Sequence, residues 1–252
     1  MNAWALYDDL IDGISPSATV RDYQSNPIWT WVEASDATVG VAMTINVRSR
    51  AGIREASLIG RPLREAAMLI RSWNLVESSI GVAAINAWYN VPSRADACGE
   101  RVPASGAFDI YADMIEGKRV ATIGHFPFIE KRLETAGELT IIERNPRRGD
   151  YIDSAAEYLL PEQDIVFITG STMVNKTLPR LLELARGAYV VLTGPSTPLS
   201  PVLYDYGVDG LSGMIISDPT ALKDALRGAG NGAPKDAGTM VDYVRTVMPS
   251  GS

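Results

Sequence analysis

The sequence holds a single cysteine, Cys98, and a single histidine, His125, among 252 residues. One thiol excludes a disulfide framework within the chain. Together the two residues fall short of the Cys and His ligands that a structural zinc site draws on. Basic residues are the minority: 23 Lys and Arg stand against 30 Asp and Glu, a net charge of −7. Nucleic acid is therefore not an expected partner, because phosphate neutralisation needs a basic face. The same balance argues against an anionic membrane surface. No run approaches the roughly 20 apolar residues of a membrane span. The opening residues, Met1 to Asp9, lack the basic and apolar regions of a secretory signal, so a cytoplasmic location is expected. Internal repeats and low-complexity tracts are missing too.

What is present is a core. Hydrophobic residues make up 46% and charged residues 21%, the composition of a globular chain rather than a disordered one. The length suits one large domain or two small ones. The two halves differ in pattern. Trp4 to Ile14 has helical apolar spacing and stops at Gly13 and Pro16. Thr30–Ser35 and Thr38–Ile45 are β-rich and flank Asp36-Ala37, which predicts a hairpin. Pro62 opens a helix whose Leu63, Ala66, Ala67 and Ile70 share one face. A second helix runs from Leu75 to about Trp88, with small Gly81, Ala83, Ala84 and Ala87 permitting close packing. Asn90 to Gly106, with its prolines, reads as a link, and Cys98 within it is given no role.

After the link, strands and helices alternate. Val120–Gly124, Leu139–Ile142, Ile165–Thr169 and Tyr189–Thr193 are apolar runs, with a weaker fifth around Met214 to Ser217. A helical pattern runs from Val174 to Ala185. Alternation of this kind predicts a parallel sheet covered on both faces. Its ligands bind beyond the carboxyl ends of the strands, which selects four loops.

The first loop, Gly124-His125-Phe126-Pro127-Phe128, carries the chain's one imidazole, a ligand, acid or base near neutral pH. The second begins at Glu143, where dinucleotide enzymes hold a ribose; Glu143 is alternatively a metal ligand or an arginine partner. The glycine fingerprint of a dinucleotide site is missing, and Pro127 cannot donate an N–H to a pyrophosphate. The third, Thr169-Gly170-Ser171-Thr172-Met173-Val174-Asn175-Lys176-Thr177, offers hydroxyls and a helix start capped by Ser171 or Thr172, suited to an anion. The fourth, Gly194-Pro195-Ser196-Thr197-Pro198, holds its hydroxyls in a stiff turn. Gly228-Ala-Gly230-Asn-Gly232 follows a helix and reads as a connector.

Gly-His-Phe-Pro at 124–127, Thr-Gly-Ser-Thr-Met-Val-Asn-Lys-Thr at 169–177 and Gly-Pro-Ser-Thr-Pro-Leu at 194–199 resemble the core motifs of the putative heavy-metal chelation family. Gly81-Val-Ala-Ala-Ile-Asn-Ala87 resembles a helix of its N-terminal domain, and the four motifs stand in the same order. The resemblance implies an α/β protein with an enolase N-terminal-like α+β domain, residues 1–105 with the link, and a Rossmann-like domain, residues 106–252. It implies a ligand cleft between them. Carried over by motif, the site comprises Asn86, His125, Thr169, Gly170, Asn175, Thr177, Pro195 and Ser196, with Glu143 as a strand-end acid. Phe126, Ser171, Thr172, Gly194 and Thr197 belong to the same loops.

Soft heavy metals prefer thiolate and imidazole. A divalent or heavy metal held by His125 and Glu143 would be weakly and openly ligated. The expected ligand is therefore a small anionic molecule, or a metal already chelated by one. The alternative is an enzyme with a nucleotide-type cosubstrate such as S-adenosylmethionine, Glu143 on the ribose and His125 as acid or base. A homodimer is compatible with either.

Overall fold

Two separate sheets, with helices packed on both, make up the computed structural model, which describes residues 2–102, 106–227 and 232–245. The chain enters through helix α1 (Ala5–Asp12). An antiparallel sheet follows, of β1 (Val20–Ser25), β2 (Trp29–Ala34) and β3 (Val39–Met43) in that order. The expected hairpin joins β2 to β3. Asp36 Oδ1 accepts from Thr38 Oγ1 at 2.7 Å, and Ala37 takes the left-handed conformation at φ 64°. The edge strand β1 has no counterpart in the sequence reading, since most of its residues are polar and only Val20 is fully buried.

Helix α2 (Leu63–Ala67) starts after Pro62 and buries Leu63, Ala66 and Ala67, with Ile70 beyond it. Helix α3 (Leu75–Tyr89) is capped by Asn74, whose side chain accepts from Val76 N. It is buried nearly all round, as expected of a helix without a polar stripe. Glycines set its depth. A Cβ on Gly81 would lie 2.8 Å from Ile70 Cα and 2.9 Å from Ala67 O, and one on Gly40 of β3 would collide with the α3 backbone at Ala83 and Ala87.

The second half builds β4 (Glu100–Val102), β5 (Arg119–Ile123), β6 (Glu138–Glu143), β7 (Tyr151–Ile152), β8 (Ile165–Thr169), β9 (Tyr189–Thr193), β10 (Gly210–Ile216) and β11 (Gly238–Val244). Their order is β4-β11-β10-β9-β8-β5-β6-β7. From β10 to β7 all neighbours are parallel, whereas β11 runs antiparallel to β10 and β4. The chain is of the α/β class, as expected. Alternate residues of the central strands feed opposite cores. Val120, Ile165 and Phe167 pack with Phe108 and Tyr111, while Ala121, Val166 and Ile168 join the core that holds α3. Among the described residues no helix is long and apolar enough to cross a membrane.

Several local expectations need correction. The stretch read as a link is packed structure where it is described. Asn90 is buried, donates through Nδ2 to Thr197 O at 2.9 Å and Met214 O at 3.1 Å, and accepts from Leu199 N at 2.8 Å. Cys98 is buried and β4 joins the large sheet. The helix expected from Val174 begins instead at Leu178 and runs to Leu184. It is separated from a short turn, Ser171–Val174, by Asn175, whose Oδ1 accepts from both N and Oγ1 of Thr177. Such a local bond competes with continuing the helix. Neither Ser171 nor Thr172 caps that turn: Gly170 holds the cap position, and Thr172 Oγ1 donates to Thr169 O at 2.7 Å. Four residues of helix make no anion site by themselves. Of the glycine-rich connector, residues 228–231 lie outside the described residues.

Candidate functional site

The parallel strands β5, β8 and β9 are adjacent, so the loops at their carboxyl ends are neighbours by construction. Their contacts are close. A Cβ on Gly124 would lie 3.2 Å from Thr169 Cγ2, and one on Gly170 only 2.6 Å from Thr197 N. Gly124 and Gly194 hold φ values of 106° and 113°, which only glycine adopts without strain, and each turns the chain sharply off its strand. The first, third and fourth loops therefore form one surface, and His125, Phe126, Thr169, Ser171, Asn175, Thr177, Gly194 and Pro195 are partly buried at it.

The second loop reaches the same surface through Glu143. Its Oε2 accepts from His125 N and its Oε1 from Asn145 N, both at 3.0 Å. Glu143 thus ties the ends of two loops together by backbone bonds. His125 gains a second partner that sequence reasoning missed. Both carboxylate oxygens of Asp150 lie 3.0 Å from its Nδ1. The Asp150 side chain is 3% exposed and that of His125 9%. An ionised carboxylate only accepts, so Nδ1 carries a proton, and in the neutral ring Nε2 is the nitrogen with the lone pair. Glu130, exposed on the following helical turn, stands 3.5 Å from Nε2. The only available signal for Asp150 was its place in the loop after β6, 25 residues from His125.

Other candidates are engaged within the fold. Ser196 is buried and its Oγ accepts from Met43 N of β3 at 2.9 Å, joining the fourth loop to the small sheet. Asn86 is fully buried in α3; its Nδ2 donates to Val41 O at 2.8 Å while its Oδ1 has no partner among the described residues. Thr197 and Thr172 are buried, and the Thr197 hydroxyl has no partner among the described residues. Thr169 Oγ1 and Ser171 Oγ lie 3.2 Å apart at the loop surface.

Lys176, also not singled out from the sequence, takes the left-handed conformation at φ 68°. Its Nζ donates to Val174 O and to Ser78 Oγ of α3, each at 3.0 Å, and lies 5.1 Å from the centre of the Trp73 ring. Burial lowers its pKa to about 8.

Among the described residues no group of three or more His, Cys, Asp and Glu is arranged to hold a metal ion. The donor chemistry agrees. The one imidazole has a single free nitrogen, and Glu143 is committed to backbone N–H groups. Cys98 lies elsewhere, its thiol pushed up to about 12 by burial and then by the charge of Asp96. These residues do not fit a bare heavy-metal ion held by this chain alone. Two concavities of about 570 and 390 Å3 lie elsewhere, one between α1 and Leu178–Leu184 and one beside Cys98 and Tyr204, and neither includes a strand-end loop.

The model of a family described as "Putative heavy-metal chelation" matches residues 106–245, and a second model of the same description matches residues 7–89. An uncharacterized protein of Methanocaldococcus jannaschii is 31% identical over 188 residues, 71% of each chain. Among solved structures, a protein of unknown function from Desulfitobacterium hafniense superposes with a TM-score of 0.89 at 38% identity, covering 96% of this chain and 99% of that one. Another, from Pyrococcus horikoshii, gives 0.75 at 25% identity over 97% and 100%. Both are crystal structures of proteins from the family matched at residues 106–245.

Proposed function

The chain belongs to the family described as "Putative heavy-metal chelation", and from that premise we propose that its cargo is a metal ion already held by a small anionic chelator, to which His125 Nε2 adds one bond. The observation that carries this reading is the His125–Asp150 pair. A carboxylate on one ring nitrogen fixes the tautomer and raises the basicity of the other, as it does behind metal-bound histidines. One oriented imidazole completes a partly filled coordination sphere but cannot fill an empty one. The chelator supplies the remaining ligands, and the hydroxyls of Thr169 and Ser171 are placed to meet its oxygens. The proposed seat for the chelate is the strand-end surface, beside the contacts from Ser196 to β3 and from Lys176 to α3.

The nucleotide alternative needs Glu143 for a ribose. Both of its oxygens already accept backbone N–H groups, which favours the chelate reading. Calorimetric titration with nickel(II), citrate and the nickel–citrate complex tests it. The complex is expected to bind more tightly than either component, and His125→Ala to abolish that difference. Equal affinity for bare nickel, or an unaffected His125→Ala variant, would refute it.

A further inference from the structure

We propose that Lys176 is the anchor for a carboxylate or phosphate group of the ligand. This rests on the reading of the strand-end loops as a small-ligand site, and adds the chemical group recognised there. An ammonium has three donors. At Lys176 two of them meet the neutral oxygens of Ser78 and Val174, and no ion pair involves it among the described residues. The other half-buried lysine, Lys223, sits on Glu33 and beside Asp22. A half-buried cation without a counter-charge is unfavourable unless something supplies one, since partial desolvation is uncompensated by neutral acceptors. The depressed pKa records that cost.

The backbone adds a second. A non-glycine residue with φ of 68° is uncommon, and here it folds the side chain back over Val174 onto α3 and Trp73. A strut onto α3 does not require this charge, because Ser78 Oγ already donates to Val174 O at 2.8 Å and joins the loop to the helix without Lys176. Placed in the loop that also presents the Thr169 and Ser171 hydroxyls, the third N–H and the uncompensated charge suit an anionic oxygen.

The chain has five lysines, Lys118, Lys131, Lys176, Lys223 and Lys235, so labelling the ε-carbon with 13C yields a spectrum in which Lys176 can be assigned by substitution. Metal-free citrate and inorganic phosphate are added separately. The Lys176 signal is expected to move and saturate with at least one of them, and the lower saturating concentration identifies the group. Lys176→Met should weaken that anion by roughly tenfold to a hundredfold, the loss of a charge-assisted bond, without lowering thermal stability. Lys176→Arg should retain most of the binding. A stationary Lys176 signal up to millimolar anion, or a methionine variant that binds as well as the parent, overturns the proposal. His125→Ala should leave metal-free citrate binding intact. A failed nickel–citrate experiment with a responsive Lys176 therefore removes the chelate reading and keeps the anchor. The reverse pattern removes the anchor alone.

Discussion

Replacing Asp150 by Asn exchanges one oxygen for an amide nitrogen at the group that orients His125. The side chain is almost fully buried and its Oδ2 also accepts from Arg147 N at 2.8 Å. The asparagine oxygen is held on that N–H, which leaves the amide NH2 in the place of Oδ1, 3.0 Å from His125 Nδ1. Two donors cannot face each other, so the proton moves to Nε2 and the lone pair turns inward to Nδ1. A bond to a charged group is worth about 1.5–3 kcal/mol, and outer-shell partners of metal-binding histidines contribute roughly tenfold to a hundredfold in affinity. Asp150→Asn should therefore weaken nickel–citrate by roughly that factor while leaving metal-free citrate unaffected. Because the chain has one histidine, the long-range 1H–15N spectrum contains a single imidazole and shows the tautomer directly. In the parent Nδ1 should be the protonated nitrogen and in the variant Nε2. An unchanged tautomer with unchanged affinity would refute the orienting role of Asp150.

Two further substitutions test the frame around the site. Gly81→Ala should destabilise the protein although alanine favours helix by about 1 kcal/mol over glycine. The added methyl would sit 2.8 Å from Ile70 Cα, against backbone that cannot step aside, so a net loss of about 2 kcal/mol or more is expected, read as a fall in Tm of several degrees. A rise in Tm would show that α3 and the Ile70 turn are less closely packed than described. Asp242→Asn should stabilise the protein at pH 7, by about 2–4 °C for each kcal/mol recovered. Asp242 is buried, neither oxygen has a well-formed hydrogen bond among the described residues, and burial raises its pKa against the partial offset of the Ser212 hydroxyl. With the folded pKa above the unfolded one, the folded state takes up the proton first as pH falls, so the penalty is present at pH 7 and relieved in acid. The variant's advantage should vanish when both forms are protonated; an advantage independent of pH would contradict the assignment.

Much of the frame was legible in the sequence, for physical reasons that vary by element. Ile165–Thr169 and Tyr189–Thr193 match their strands residue for residue, because strands buried on both faces read as continuous apolar runs. Helix α3 was legible because its run of apolar and small residues is a local feature. Strands β1 and β7 were not, since β1 is mostly polar, β7 is only two exposed residues long, and the pairing of both comes from neighbours. The break before Leu178 was hidden by continuing apolar spacing, which says nothing of an Asn175 side chain turned onto Thr177.

The site divides the same way. The sequence by itself determined the α/β class, the strand-end loops and the position of the sole imidazole, all of which follow from period, chain order and residue type. The tertiary structure decided what those side chains do. Asp150 meets His125 across 25 residues, Lys176 meets Ser78 across 98, and Ser196 meets Met43 across 153. Contacts of that span depend on strand order and on how deeply α3 settles between the sheets. Local periodicity specifies which face of each element is buried; it does not specify which distant element buries it.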